Sequence, residues 1–226
     1  MTALLLAAAF LLLSHYGISS TALRPALVGR IGEGPYRGLF SLVALGALVL
    51  LARSYAAAPY VETWGQATPL RWLPVVLVPL ALLLVVGGVL GPNPTAMGQQ
   101  ASLDDPAGPE PRGLQRITRH PMMWGIGLWA LAHAGANGDA AALVFFGSFA
   151  VLALLGTRLL DAKNRHRAGW AAYAGRTSNL PFAAILAGRQ RLVPAEIGWR
   201  APATALVLTL ALAHLHGWLF GVPAFG

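Results

Sequence analysis

Long stretches of this chain carry no Lys, Arg, Asp or Glu at all: residues 1–23, Gly38–Ala52, Trp72–Leu103, Pro121–Gly138, Ala140–Thr157 and Ala201–Phe220. A soluble fold breaks such runs with charge, because each surface element must meet water on one face. A helix that crosses a bilayer needs about 20 apolar residues to cover about 30 Å of hydrocarbon. Composition agrees: 56% of residues are hydrophobic and 11% charged, whereas soluble domains carry about 25% charged side chains. With a mean hydropathy of +0.61, the chain reads as an integral membrane protein and not as a soluble globular enzyme.

The expected fold is all-α: one polytopic membrane bundle over residues 1–226 with about six transmembrane helices. The spans fall at about 2–19, 37–57, 72–90, 121–137, 140–160 and 201–220, and the short apolar stretch 178–188 reads as interfacial or re-entrant. Residues 1–23 lack the basic n-region of a signal peptide, so the first span is expected to be retained. With six spans, the connections 19–36, 91–120 and 158–200 share one face. With the residues bordering them they hold 14 of the 16 basic residues, leaving Arg53 and Arg71 for the other face. The positive-inside rule makes the first face cytoplasmic and puts both termini outside. Met97–Pro111, rich in Pro, Gly and acid, reads as a mobile cytoplasmic loop.

A net charge of +8 would raise nucleic acid as a partner in a soluble chain. Here the basic residues lie between apolar runs, where topology and anionic lipid account for them, and the expected partner is the bilayer. The absence of cysteine excludes disulfides and thiolate chemistry.

Ionisable side chains within spans mark function, so the six histidines are the informative residues. His15 falls about 20 Å along the first helix, in its cytoplasmic half, and His133 about 18 Å into the fourth, near mid-membrane. With no Cys, Asp or Glu at that depth, two neutral imidazoles on facing helices suit haem b. Interhelical hydrogen bonding is the plainer reading of the same residues. His214 and His216 remain possible replacements for either ligand. On the inner face, Arg116-Ile117-Thr118-Arg119-His120-Pro121 places basic groups at a helix start, which suits an anion or a plain positive-inside anchor. Asn93, in the Gly91-Pro92-Asn93-Pro94 exit of the third span, is within reach of that loop. Asp161, Lys163, Arg165, His166 and Arg167 read as a polar extension of the fifth helix, either solvated or facing Arg119.

These residues carry a resemblance. Ser14-His15, Gly32-Glu33-Gly34-Pro35-Tyr36-Arg37, Gly91-Pro92-Asn93-Pro94, and Arg116–Pro121 followed by Ala132-His133 and Asn137-Gly138-Asp139 resemble the NnrU family. That family is linked to denitrification, through nitrite and nitric oxide reductase function, and is similar to the 15-cis-zeta-carotene isomerases, which use haem b. The resemblance implies a bacterial inner-membrane protein in which His15 and His133 are the haem ligands and the catalytic pair. It implies that His120 stands on the propionate side of the cofactor; the basic Arg116 and Arg119, with Asn93, are the further candidate cofactor contacts on the inner face. If the chain is an enzyme, the implied chemistry is haem-dependent cis-trans isomerisation of a polyene-like substrate. The alternative is a non-enzymatic assembly or transport partner of respiratory reductases. Arg119-His120-Pro121 also resembles the S-adenosylmethionine motif of isoprenylcysteine carboxyl methyltransferase-like enzymes.

Overall fold

A computed structural model describes residues 1–66, 69–96 and 98–224. Nine α-helices are described. α1 (Thr2–Leu13) runs into a π-turn over Ser14–Ile18; then come α2 (Leu23–Ile31), α3 (Glu33–Ala56), α4 (Leu73–Leu90) and α5 (Pro121–Asn137). After them follow α6 (Ala140–Asn164), the short α7 (Trp170–Arg176) and α8 (Ala183–Leu186), and α9 (Arg200–Phe220).

The expectation of six membrane-crossing helices does not hold. Four helical stretches are long and apolar enough to cross: Glu33–Ala56, Leu70–Leu90, Ala140–Asn164 and Arg200–Phe220. A fifth is reached only if Thr2–Ile18 and Leu23–Ile31, bent by 70° against each other, count as one broken span. Two physical causes reduce the number. The π-turn and the break after it end the first helix short of a straight crossing. α5 has 17 residues, about 26 Å of helix, short of the about 30 Å of hydrocarbon that a typical span covers.

α5 sits inside the bundle, and its sequence explains why. Gly125, Gly127, Ala130, Ala132 and Ala134 are buried along its length. A Cβ on Gly125 would lie 2.6 Å from the Ala81 carbonyl of α4, and one on Gly88 of α4 would lie 2.9 Å from the Met122 amide. Small residues let the two backbones approach, which is how helices associate where no water drives them together. α5 is flanked by α4 and α6, α4 also carries α9, and α6 carries α1, which leans on α3. The cluster of Leu4, Ala7, Ala8, Leu11, Ala47, Leu51 and Ala141 joins α1, α3 and α6. The outward faces of α3 and α9 keep their leucines exposed, as a lipid-facing surface requires.

The α5–α6 hairpin turns on Gly138, which takes the left-handed conformation at φ 61° that favours glycine. Asp139 caps α6 by accepting from the Ala142 amide. The α3–α4 loop closes on this turn: the amides of Thr63, Trp64 and Gly65 all point at the Gly138 carbonyl at 3.0–3.2 Å. At the opposite, basic end, the loop expected to be mobile is anchored, apart from Met97, which lies outside the described residues. Leu103 is buried against Trp170 and Tyr173, Arg167 pairs with Asp104 and Arg176 with Glu110.

Candidate functional site

Two sets of polar side chains interrupt the apolar interior, one among the helices and one at the basic end.

The first set is the histidines. His15 stands in the π-turn, where Nδ1 lies 3.0 Å from the Leu11 carbonyl. His133 repeats the arrangement on α5, with Nδ1 2.9 Å from the Trp129 carbonyl. A carbonyl only accepts, so in the neutral ring the proton sits on Nδ1 and Nε2 keeps its lone pair. No hydrogen bond among the described residues engages either Nε2. Fixing one ring nitrogen through the backbone and leaving the other as a lone pair is how a metal-ligating histidine is oriented. A π-turn carrying a histidine is a second functional mark, since such turns concentrate at functional sites.

The surroundings of both rings are aromatic. His15 meets Phe40 of α3 edge-on at 5.5 Å. His133 stacks on Phe146 of α6 at 5.0 Å and tilts against Trp129 at 5.2 Å. Trp129, Tyr55, Phe145, Phe146 and Phe149 interlock in one layer between α3, α5 and α6. Tyr16, beside His15, donates toward the Val151 and Leu152 carbonyls, while Leu4 packs with Ala141. α1 therefore runs parallel to α6 and antiparallel to α5. Each ring lies back toward residue i−4 of its own helix. His216 has Nδ1 2.6 Å from the Val222 carbonyl, and no hydrogen bond among the described residues engages its Nε2. His214 is exposed.

The second set gathers where α5 begins. Arg119 grips Asp161 with two bonds of 2.9 Å, from Nε to Oδ1 and from Nη2 to Oδ2. His120 donates from Nε2 to the same carboxylate at 2.6 Å, and Asn179 adds a bond of 3.1 Å from its amide. The other nitrogen of His120, Nδ1, lies 3.1 Å from Thr95 Oγ1. That hydroxyl also faces the Arg119 carbonyl at 2.7 Å and Asn93 Oδ1 at 3.0 Å, so one proton serves three acceptors. Asn93 is thereby tied to the cluster through Thr95. Trp170 covers the Arg119 guanidinium at 5.4 Å. Burial lowers the His120 pKa and outweighs the pull of the Asp161 carboxylate. The Tyr173 hydroxyl is buried without a partner among the described residues, and burial raises its pKa. Arg116 stands apart from this group, holding Glu196 through two bonds of 2.7 and 2.8 Å and Gln190 through a third of 2.7 Å.

The expected site residues thus divide. Arg119, His120 and Asn93 come together, Arg116 joins Glu196 nearby, and His15 and His133 lie in the aromatic interior. The inner side chains are engaged by protein groups: Arg119 and His120 by Asp161, and Arg116 by Glu196 and Gln190. Asp161 is the residue that sequence reasoning undervalued. Its signal was scarcity, because Asp161 and Glu196 are the two acids after Asp139, and each closes on one arginine of the Arg116–Arg119 segment. For a haem, the candidate donors are the two Nδ1-anchored histidines, His15 and His133. Among the described residues, no group of three His, Cys, Asp or Glu side chains is placed to hold a metal ion.

Fold and site define a class: a polytopic, all-α integral membrane protein with imidazoles held inside its apolar helices. Within that class, the chain belongs to the NnrU family, whose profile (NnrU protein) matches residues 3–224. A segment of 87 residues is 39% identical to the chloroplastic 15-cis-zeta-carotene isomerase of Zea mays, and equally to that of Arabidopsis thaliana. The match takes in 35% of this chain but 22% of each relative, so the chain aligns with about a fifth of the curated relatives' length. No solved structure matches it.

Proposed function

We propose that this NnrU-family protein binds haem b within the membrane through His15 and His133, and acts on an apolar, polyene-like molecule that reaches it from the bilayer. The observation that carries the reading is the shared state of the two rings: Nδ1 held by the backbone, Nε2 unengaged, aromatic walls on both. The partial likeness to carotene isomerases supports the same substrate class. A haem held there by His15 and His133 would supply a redox-active iron. The chain's own residues fix the ring planes through Leu11 and Trp129. The layer of Trp129, Phe145, Phe146 and Phe149 excludes water and offers flat surfaces to a conjugated chain. Arg119-His120-Pro121 is occupied with Asp161, so S-adenosylmethionine chemistry draws no support from it. On this reading the basic end faces the cytoplasm of a bacterial inner membrane and the chain termini face the periplasm.

The test is the absorption spectrum of detergent-purified protein expressed with supplied haem, oxidised and dithionite-reduced. The expected result is a Soret band with a split α/β pair on reduction, lost or shifted in both His15→Ala and His133→Ala. Loss in His216→Ala with retention in His15→Ala would move the ligand to α9. A colourless wild-type protein would overturn haem binding and favour a docking role beside respiratory reductases.

A further inference from the structure

A second site lies at the basic end, separate from the histidines and independent of whether they hold haem. A cavity of about 410 Å³ opens between the ends of α4 and α9 and the segment leading into α5. Its floor is apolar and built from small groups, with Gly87, Leu114 and Ala201 against one another. At its mouth stand Arg112, Arg200 and Glu196. Glu196 is taken: Arg116 binds both its oxygens, and the Gly113 amide donates to it at 2.9 Å. Among the described residues neither Arg112 nor Arg200 makes a salt bridge or donates a side-chain hydrogen bond, the Arg112 side chain lying over the Gln115 backbone, and both are exposed. With Glu196 neutralised by Arg116, the mouth carries two uncompensated positive charges above an apolar floor.

The depth of the cavity determines what fits. Its rim is the boundary where α4 ends and α9 begins, marked by the exposed indole of Trp199, a side chain suited to the headgroup layer. Beyond the rim, α4 and α9 present exposed leucines and valines, including Val89, Leu90, Leu206 and Val207. A small soluble anion would use the arginines and leave the floor unfilled. A zwitterionic headgroup would bring its own cation against both arginines. We propose that this cavity binds an anionic phospholipid, its phosphate between Arg112 and Arg200 and the upper part of one acyl chain over Gly87 and Ala201.

Titration of the full-length protein in detergent, followed by native mass spectrometry, tests this with dimyristoyl phosphatidylglycerol, dimyristoyl phosphatidylcholine and inorganic phosphate as probes. Phosphatidylglycerol is expected to bind about tenfold more tightly than phosphatidylcholine, and either Arg112→Gln or Arg200→Gln to weaken it about fivefold. Arg112→Lys should keep most of the affinity, and Arg30→Gln, on another part of the basic end, should change nothing. Equal binding of the two lipids would overturn the proposal, as would a loss in Arg30→Gln matching that in Arg112→Gln. Displacement of phosphatidylglycerol by millimolar inorganic phosphate would reassign the cavity to a soluble anion.

Discussion

His120 and the pair His15 and His133 lie in one bundle and are treated in opposite ways. His120 spends both nitrogens on the protein, one on Asp161 and one on Thr95. Each of the other two spends one nitrogen on its own helix and leaves the second idle. Completed hydrogen bonding makes His120 part of a lock that seals the start of α5 onto the inner connections. Incomplete hydrogen bonding makes the other two available to a ligand. The difference teaches that, in an apolar interior, the idle nitrogen and not the histidine itself is what a ligand could use.

The contrast is broken most severely by removing the acid. Asp161→Ala strips the partner from the half-buried Arg119 and from buried His120 and is expected to cost about 3 kcal/mol in reversible unfolding, the low end for a buried pair. Haem absorbance per folded molecule should not change. A smaller effect comes from pH. The His120 pKa is lowered by burial from 6.5, so the unfolded chain binds more protons below that value. The stability from the neutral ring is present above pH 6.5 and is lost as pH falls through the lowered pKa. The thermal midpoint should therefore drop on going from about pH 7.5 to about pH 5.5, and His120→Gln should flatten that slope. His15→Ala and His133→Ala are expected to cost about 1 kcal/mol each, the value of one neutral hydrogen bond, while removing the haem spectrum. A loss of 3 kcal/mol or more on the scale of a buried ion pair in His133→Ala would show that this ring, too, is a structural lock.

The least effect belongs to the rim. Arg116 holds the Glu196 carboxyl down to about 2 from an ordinary 4.5. Its contribution is present above pH 4.5 and lost as pH falls toward 2, but the pair is partly open to solvent, where ion pairs are worth about 0–1 kcal/mol. Glu196→Gln should loosen the segment before α9, read as faster proteolysis near Arg191, without a measurable change in the midpoint.

The membrane class and the family were legible in the sequence, because charge-free runs and the Arg119-His120-Pro121 to His133 stretch are local patterns. The number of spans was not. Pro121–Gly138 looks like a crossing helix in composition, but its glycines serve close approach to α4, and its length suits a helix sheathed by others. The break after Ile18 is similarly concealed, since Ser19, Ser20 and Thr21 resemble the polar edge of an ordinary span. Asp161 lies 41 positions from His120, and no periodicity connects them. Only the packing of α5 on α6 brings them together, and the apolar pattern of a membrane helix does not set which face meets which neighbour.

The brevity of α5 bears on how the protein is built. A helix of 17 residues with glycines at its contact points gains little by entering lipid alone, where those notches would face acyl chains. α6, with 25 residues and an apolar sequence free of charge from Ala140 to Thr157, enters readily, and Gly138 and Asp139 are all that separate the two. The pair therefore inserts as one hairpin, drawn in by its longer arm, with α4 already in place to receive the shorter one. Lengthening the turn between them would uncouple that entry and strand α5 at the surface during synthesis, even though every contact of the finished bundle would still be encoded.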